Sequence, residues 1–380
     1  MQFIDLKTQY KKLKEDIDKN IQEVLEKGNY ILGEEVKKLE EELASYVGVK
    51  YCATCANGTD ALSLALMALD IKEGDAVFVP SFTFYASAEV VSLQKATPIF
   101  IDSDPRTFNI DVKKLEEAIL KVKHENKLIP KAIIAVDLFG QPADYIEIKK
   151  IADKYNLLII EDGAQGFGGS INNKMACSFG DIATTSFFPA KPLGCYGDGG
   201  AIFTNNEELY NLVLSYRVHG KGTFKYDNVR VGMNSRLDTL QAAILLPKLK
   251  VFKEYELDLR NKWANLYTEL LKDYVKTPIV KDKFISSWAQ YTLILDNEEE
   301  RNFVQNYLKE KEIPSMVYYP KPLHKQTVYE NYNFNLEDLN VCEGLSNCVL
   351  SLPMHPYLDE ETIKNISNIV IEALEAYKNV

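Results

Sequence analysis

The sequence predicts an α/β protein: a parallel sheet buried between helices, followed by a smaller α+β unit. Three observations point there. From residue 76 onward, unbroken runs of Val, Ile and Ala alternate with helical stretches, the pattern of parallel strands covered on both faces. Residues 238–272 keep helical apolar periodicity with Pro247 as almost the sole breaker, a length suited to linking a large unit to a small one. Beyond Lys276 the regular alternation gives way to shorter, mixed elements. At 380 residues the chain is long for one core, and the expected division is 1–250 and 251–380.

Taken in order, residues 8–27 place Tyr10, Leu13, Ile17, Ile21, Val24 and Leu25 at helical spacing, and Gly28-Asn29 stops that helix. A second helix spans about 34–46, with Val36, Leu39 and Leu43 on one face. Lys50–Thr54 reads as a strand, followed at once by Asn57-Gly58-Thr59-Asp60 and an apolar helix at 61–69. Strands at 76–80, 98–101, 132–139 and 157–160 alternate with helices at 81–93, 111–122 and 145–155. Crossovers between parallel strands are right-handed, and ligands of such sheets bind beyond the carboxyl ends of the strands. A strand at 183–188 runs into the loop Pro189-Ala-Lys191-Pro-Leu-Gly-Cys-Tyr-Gly-Asp-Gly-Gly200, followed by a strand at 201–204 and a helix at 207–217. The last part holds strands at 288–295 and 315–319 and helices at 298–311 and 360–377.

Apolar residues make up 46% and charged ones 26% of the chain, and the net charge is −11. That balance disfavours nucleic-acid or membrane-surface partners, which require a basic face. No apolar run is long enough to span a bilayer, and the charged N-terminus lacks the apolar region of a signal peptide; a cytoplasmic protein is expected. Six cysteines lie scattered at 52, 55, 177, 195, 342 and 348. Cys52-Ala-Thr-Cys55 has bare C-x-x-C spacing but no second pair or histidine to complete a metal set, so packing is the expected role.

The chemistry converges on strand ends. Thr59, Phe84, Asp162 and Lys191 each sit just past one. A lysine in a Gly/Pro-rich loop is either solvated or a desolvated nucleophile. Asn57–Asp60 is either a plain helix cap or an anion site of free amides and helix dipole. Pyridoxal phosphate (PLP) would use all of them at once. Lys191 would form the covalent link, Asp162 would hold the pyridine nitrogen protonated, and Gly58, Thr59, Asp60 and Ser186 would meet the phosphate. Phe84 would lie against the ring and Gln165 would reach the phenolic oxygen.

These residues stand in stretches that resemble the DegT/StrS-type nucleotide-sugar aminotransferases: Asn57-Gly-Thr-Asp-Ala-Leu, Pro80-Ser-Phe-Thr-Phe84, Glu161-Asp-Gly-Ala-Gln165, Ser186–Gly200, Met233-Asn-Ser-Arg-Leu-Asp and Tyr319-Pro-Lys-Pro-Leu-His324. The resemblance covers essentially the whole chain. It implies the fold type I PLP-dependent architecture, a three-layer α/β/α large domain with a smaller α+β C-terminal domain. It also implies Lys191 and Asp162 as catalytic residues, and a homodimer in which Asn234 reaches the neighbour's phosphate. In that family a branch with histidine at the lysine position is a dehydratase; Lys191 sides with the transaminases. Ser186–Gly200, residues 234–249 and Ser351-Leu-Pro-Met-His-Pro are similar to the branch that aminates UDP-2-acetamido-2-deoxy-3-oxo-glucuronate with L-glutamate, for surface polysaccharide. A dTDP-3-oxo or UDP-4-oxo-6-deoxy sugar is the alternative substrate, and a non-catalytic PLP-binding regulator the alternative role. Substrate contacts are expected from Arg236, Tyr318, Tyr319 and His324. Arg236 is a carboxylate clamp or an interface arginine, and a lone histidine such as His324 or His219 is more often structural. Tyr318-Tyr319-Pro320 departs from the His-Tyr-Pro of many relatives.

Overall fold

A computed structural model describes residues 1–224, 226–330 and 339–379. The N-terminal helices are α1 (Leu6–Lys27), capped by the Asp5 carboxylate and closed by left-handed Gly28, and α2 (Glu34–Val47). Then β1 (Tyr51–Cys55), α3 (Gly58–Ala68), β2 (Asp75–Pro80), α4 (Ala86–Leu93), β3 (Thr97–Ile101), α5 (Val112–Glu125), β4 (Ile129–Val136), α6 (Tyr145–Tyr155) and β5 (Leu158–Asp162) alternate as expected. Two short strands follow, β6 (Ser170–Ile171) and β7 (Lys174–Met175), then β8 (Ile182–Ser186), β9 (Gly200–Thr204) and α7 (Glu207–Tyr216).

Seven strands form one sheet in the order β1-β9-β8-β5-β4-β2-β3. β2, β3, β4, β5 and β8 pair in parallel, while β9 runs antiparallel to both neighbours. Side chains alternate between its two faces. Val77, Val79, Ala132, Ile134, Ile160, Ile182 and Ile202 pack beneath α3, α4 and α7. Phe78, Ile133, Ala135 and Ile159 pack against α5 and α6. Ala183, Ala201 and Phe203 on that same second side meet α2 and α8 (Thr239–Val251). Burial of both faces is the reason these strands read as continuous apolar runs.

The long helical pattern is real but not uniform. α8 passes through a π turn at Phe252–Glu256 into α9 (Leu257–Leu271). The remaining elements are β10 (Phe284–Ile285), β11 (Tyr291–Ile294), α10 (Glu298–Glu310), α11 (Asn340–Cys348), β12 (Val349–Leu352) and α12 (Glu360–Tyr377). β11 and β12 pair antiparallel, and a separate apolar cluster joins Trp263, Tyr267 and Leu271 of α9 to Leu293, Leu308, Leu350, Leu352, Ile366 and Val370.

Three expected elements change. The helix expected at 81–93 starts at Ala86, because the Ser81 amide continues the sheet to Ile101 O and its hydroxyl meets His324. The strand expected to reach Phe139 stops at Val136; the Asn109 and Gln165 side chains accept the Leu138 and Phe139 amides and hold a tight turn, with Phe139 at φ 58°. Residues 315–319 form no strand, only the bridge of Met316 to Ser351.

Candidate active site

The sheet gathers the site at one edge. Asp162 ends β5 and Ser186 ends the adjacent β8. Gly200, the first residue of antiparallel β9, pairs with Cys55 on one side and Ser186 on the other. The turn leaving β1 therefore lands beside Ser186. An ideal Cβ on Gly58 would sit 2.7 Å from Ser186 Cβ, and one on Gly200 would sit 2.5 Å from Asn57 O. Only glycine allows both approaches.

The Asn57 carboxamide caps α3 by accepting the Asp60 amide at 2.8 Å. Among the described residues the Gly58 and Thr59 amides take no partner, so two donors at the helix N-terminus stay open beside the Ser186 hydroxyl. The Ala56 amide donates to Ser235 Oγ at 3.1 Å, which ties this turn to the 234–236 segment.

Asp162 is buried. Its Oδ2 accepts the Ser87 hydroxyl at 2.8 Å and its Oδ1 the Ala164 amide at 3.2 Å. Burial raises its carboxyl above the usual range; Ser87, Ala164 and the charge of Lys191 pull it back. Lys191 as a whole is half-buried, yet desolvation lowers its amine below the ordinary lysine value against the opposing attraction of Asp162. The Lys191 amide closes a turn onto Phe188 O at 2.9 Å. The rest of the loop is held from α8: Gln241 bonds both the amide and the carbonyl of Tyr196, at 2.9 and 3.2 Å, and buried Lys248 donates to Gly194 O beneath the Tyr196 ring.

Gln165 is oriented from behind. Its Oε1 accepts the Phe139 amide at 2.8 Å, which leaves Nε2 as the exposed end of the amide; Nε2 donates to Tyr319 OH at 3.0 Å. Tyr319 in turn leans on Phe82 and Phe84, with ring centroids 6.2 and 6.3 Å away, and Phe84 itself is 55% exposed. Burial raises the Tyr319 hydroxyl well above the usual phenol. Tyr318 packs between Phe3 and Tyr319.

His324 behaves differently from its neighbours in the motif. Nδ1 lies 2.7 Å from Ser81 Oγ and Nε2 3.0 Å from Glu343, so both ring nitrogens are already engaged and the residue braces β2 against α11. Asn234 is exposed and Arg236 half-buried, and neither side chain has a hydrogen-bond or ion-pair partner among the described residues. Around them Tyr30, Ile31, Leu32, Phe188, Phe224, Tyr226, Val229 and Val231 expose apolar surface, and the Thr239 amide bonds Tyr30 O to join the two stretches. Sequence reasoning missed Ser87; its one signal is a small polar residue in an otherwise apolar helix start.

Residues 11–371 match the DegT/DnrJ/EryC1/StrS aminotransferase family. The chain belongs to that family. Among aminotransferases of known activity, the UDP-2-acetamido-2-deoxy-3-oxo-D-glucuronate aminotransferase of Pseudomonas aeruginosa is 50% identical over 96% of this chain and 98% of its own. The crystal structure of a family aminotransferase from Brucella abortus superposes with a TM-score of 0.95 at 49% identity, covering 97% and 98% of the two chains. NtdA of Bacillus subtilis, solved with bound cofactor PMP, reaches a TM-score of 0.85 at 30% identity over 98% of this chain and 83% of its own. The fold type I architecture of the family's sugar aminotransferases is thus the fold of this chain. Among the described residues no helix is long and apolar enough to cross a membrane.

Proposed function

We propose that the chain uses pyridoxal phosphate to transfer the amino group of L-glutamate onto a nucleotide-linked keto-sugar, UDP-2-acetamido-2-deoxy-3-oxo-glucuronate. The observation that carries the cofactor reading is the joining of three groups at one sheet edge: the open Gly58 and Thr59 amides beside Ser186, buried Asp162, and the amine of Lys191. The close-packed glycines leave a cradle there that side chains would fill. The 50% identity with the Pseudomonas enzyme supports the substrate.

In this reading PLP, when bound, supplies an electron sink for the carbon that exchanges its nitrogen. Gly58, Thr59 and Ser186 hold its phosphate, with Asp60 in the first turn behind them, and Asp162 pairs with the ring nitrogen. That pairing offsets the desolvation that raises the free carboxyl. Gln165 Nε2 and Tyr319 face the phenolic side, and Phe84 covers the ring. The Lys191 amine, already below its ordinary basicity, accepts the proton from the amino donor's α-carbon and returns it to the sugar carbon. Arg236, without a partner in its own chain, binds a carboxylate of glutamate or of the uronate. Tyr318 and Tyr319 flank the sugar. His324 contributes by bracing β2, because its nitrogens are taken. The exposed apolar residues around 30–32 and 224–231 meet a second copy of the chain, whose Asn234 completes the phosphate site.

The test is direct. Purified protein is expected to bind PLP with visible absorbance, and Lys191→Ala to lose that absorbance and at least about 10²-fold in rate. Protein that takes up no PLP would defeat the reading. Turnover is expected with the 3-oxo uronate and glutamate; turnover only with dTDP-3-oxo or UDP-4-oxo-6-deoxy sugars would reassign the substrate and leave the cofactor reading intact.

A further inference from the structure

Two acids behind Asp162 have no part in that reading. Asp137 follows β4 and Glu161 precedes Asp162 on β5, and neither has accessible surface. Ala135 pairs with Glu161 in the sheet, and Asp137, two residues on, shares that face. The two carboxyls are in hydrogen-bonding contact. Every other polar contact of either group is as an acceptor. Asp137 Oδ1 takes the Tyr145 hydroxyl at 2.8 Å and the Ala143 amide at 3.0 Å. The Glu161 oxygens take the amides of Cys177 and, at 2.7 Å, Phe179. Asp137 Oδ2 is buried, and no protein donor reaches it. The site turn rests on this oxygen: an ideal Cβ on Gly166, next to Gln165, would lie 2.3 Å from it. The Asp137 amide also bonds Asp162 O at 3.1 Å.

Two carboxylates in contact and out of water do not both ionise. One shared proton turns their repulsion into a charge-assisted hydrogen bond. The donors decide where it sits. Glu161 has backbone amides on both oxygens and suits the charge; Asp137 has one oxygen with nothing to accept from and suits the proton. The other titratable groups facing the pair are Tyr145, Cys177 and Asp162, none of them cationic. Burial pushes Asp137 well above the carboxylate range and Glu161 up to about 7, the same order.

We propose that Asp137 and Glu161 form a carboxylic acid–carboxylate pair sharing one proton, with Asp137 as the donor, and that Asp137 is a positioning residue for the Asp162–Gln165 turn. The second half rests on the reading of Asp162 and Gln165 as cofactor contacts; the first does not. Infrared difference spectra of wild type against Asp137→Asn, at neutral pH, read the protonated carboxyl. A carboxyl band present in wild type and lost in the variant is expected with and without PLP; no band lost, or a band that persists, overturns the pair. Asn at 137 keeps a donor toward Glu161, whereas Asp137→Ala leaves the Glu161 charge unanswered. Asp137→Asn is expected to keep the thermal midpoint and PLP affinity of wild type. Asp137→Ala is expected to weaken PLP binding by about tenfold or more and to shift the pH at which the bound-PLP absorbance changes. An Asp137→Ala protein with wild-type affinity and wild-type titration would overturn the positioning role. Since the band is read without PLP, that outcome is separable from failure of the cofactor reading.

Discussion

Ser87 shows how one hydroxyl conditions the site. It donates to Asp162 Oδ2 at 2.8 Å inside the protein, and a hydrogen bond to a charged acceptor contributes about 1.5–3 kcal/mol. Ser87→Ala removes a donor that favours the ionised form, so the Asp162 carboxyl rises further. The sign follows. At neutral pH the variant without PLP is expected to be less stable than wild type, because it buries a less supported charge. The gap closes as pH falls through the carboxylate range, where Asp162 is neutral in both proteins. PLP affinity at neutral pH drops by about tenfold. Thermal scans across pH and a PLP titration check both; a gap unchanged by pH would show that Ser87 acts by packing alone.

At the level of elements, the turn that offers the Gly58 and Thr59 amides is held by a buried ion pair. Arg217, following α7, donates through one Nη1 to Glu40 of α2 at 2.6 Å and to Thr54 O of β1 at 2.7 Å. Glu40 also accepts the amide and hydroxyl of Thr54, at 2.8 and 2.9 Å. Removing one partner leaves a charge buried without an answer, so Arg217→Met is expected to cost about 3–5 kcal/mol in denaturant unfolding. A cost below about 1 kcal/mol would mark the pair as no stronger than a surface bridge. Elements with local signals were legible in advance. α6 and α12 begin where Asp144 and Asp359 cap them, and their cores repeat at helical spacing. α4 was read five residues early because what restrains Ser81 lies at His324, far along the chain. Residues 315–319 alternate like a strand, but only Met316 finds a partner. In the same way Lys191, Asp162 and Gly58 announce themselves through their motifs. Ser87 and Asp137 do not, since one serine or one acid in a sequence looks the same exposed or buried.

For the whole molecule, the open question of partners centres on its exposed apolar side chains. Val231 is 88% exposed, Tyr226 85% and Phe224 74%, beside Asn234 and Arg236 with no partners of their own. Isolated apolar residues on a surface are ordinary; this many near one unfinished site mark an interface. Val231→Asp is expected to halve the mass seen in light scattering, since a stable interface buries at least about 1,000 Å² and does not accept a central unpaired charge. A wild-type protein already monomeric at micromolar concentration would place the site within one chain.

The π turn at Phe252–Glu256 has a consequence for how this chain tolerates insertion and deletion. A π turn is a helix carrying one residue more than α geometry needs. Deleting one residue there would restore a regular helix, with every local hydrogen bond satisfied. It would also turn α9 by about 100° relative to α8. Trp263, Tyr267 and Leu271 would then face away from Leu293 and Leu350. The locally better helix would be the globally wrong one: the reading frame of the apolar stripe, rather than helix quality, fixes the length of the chain at this point.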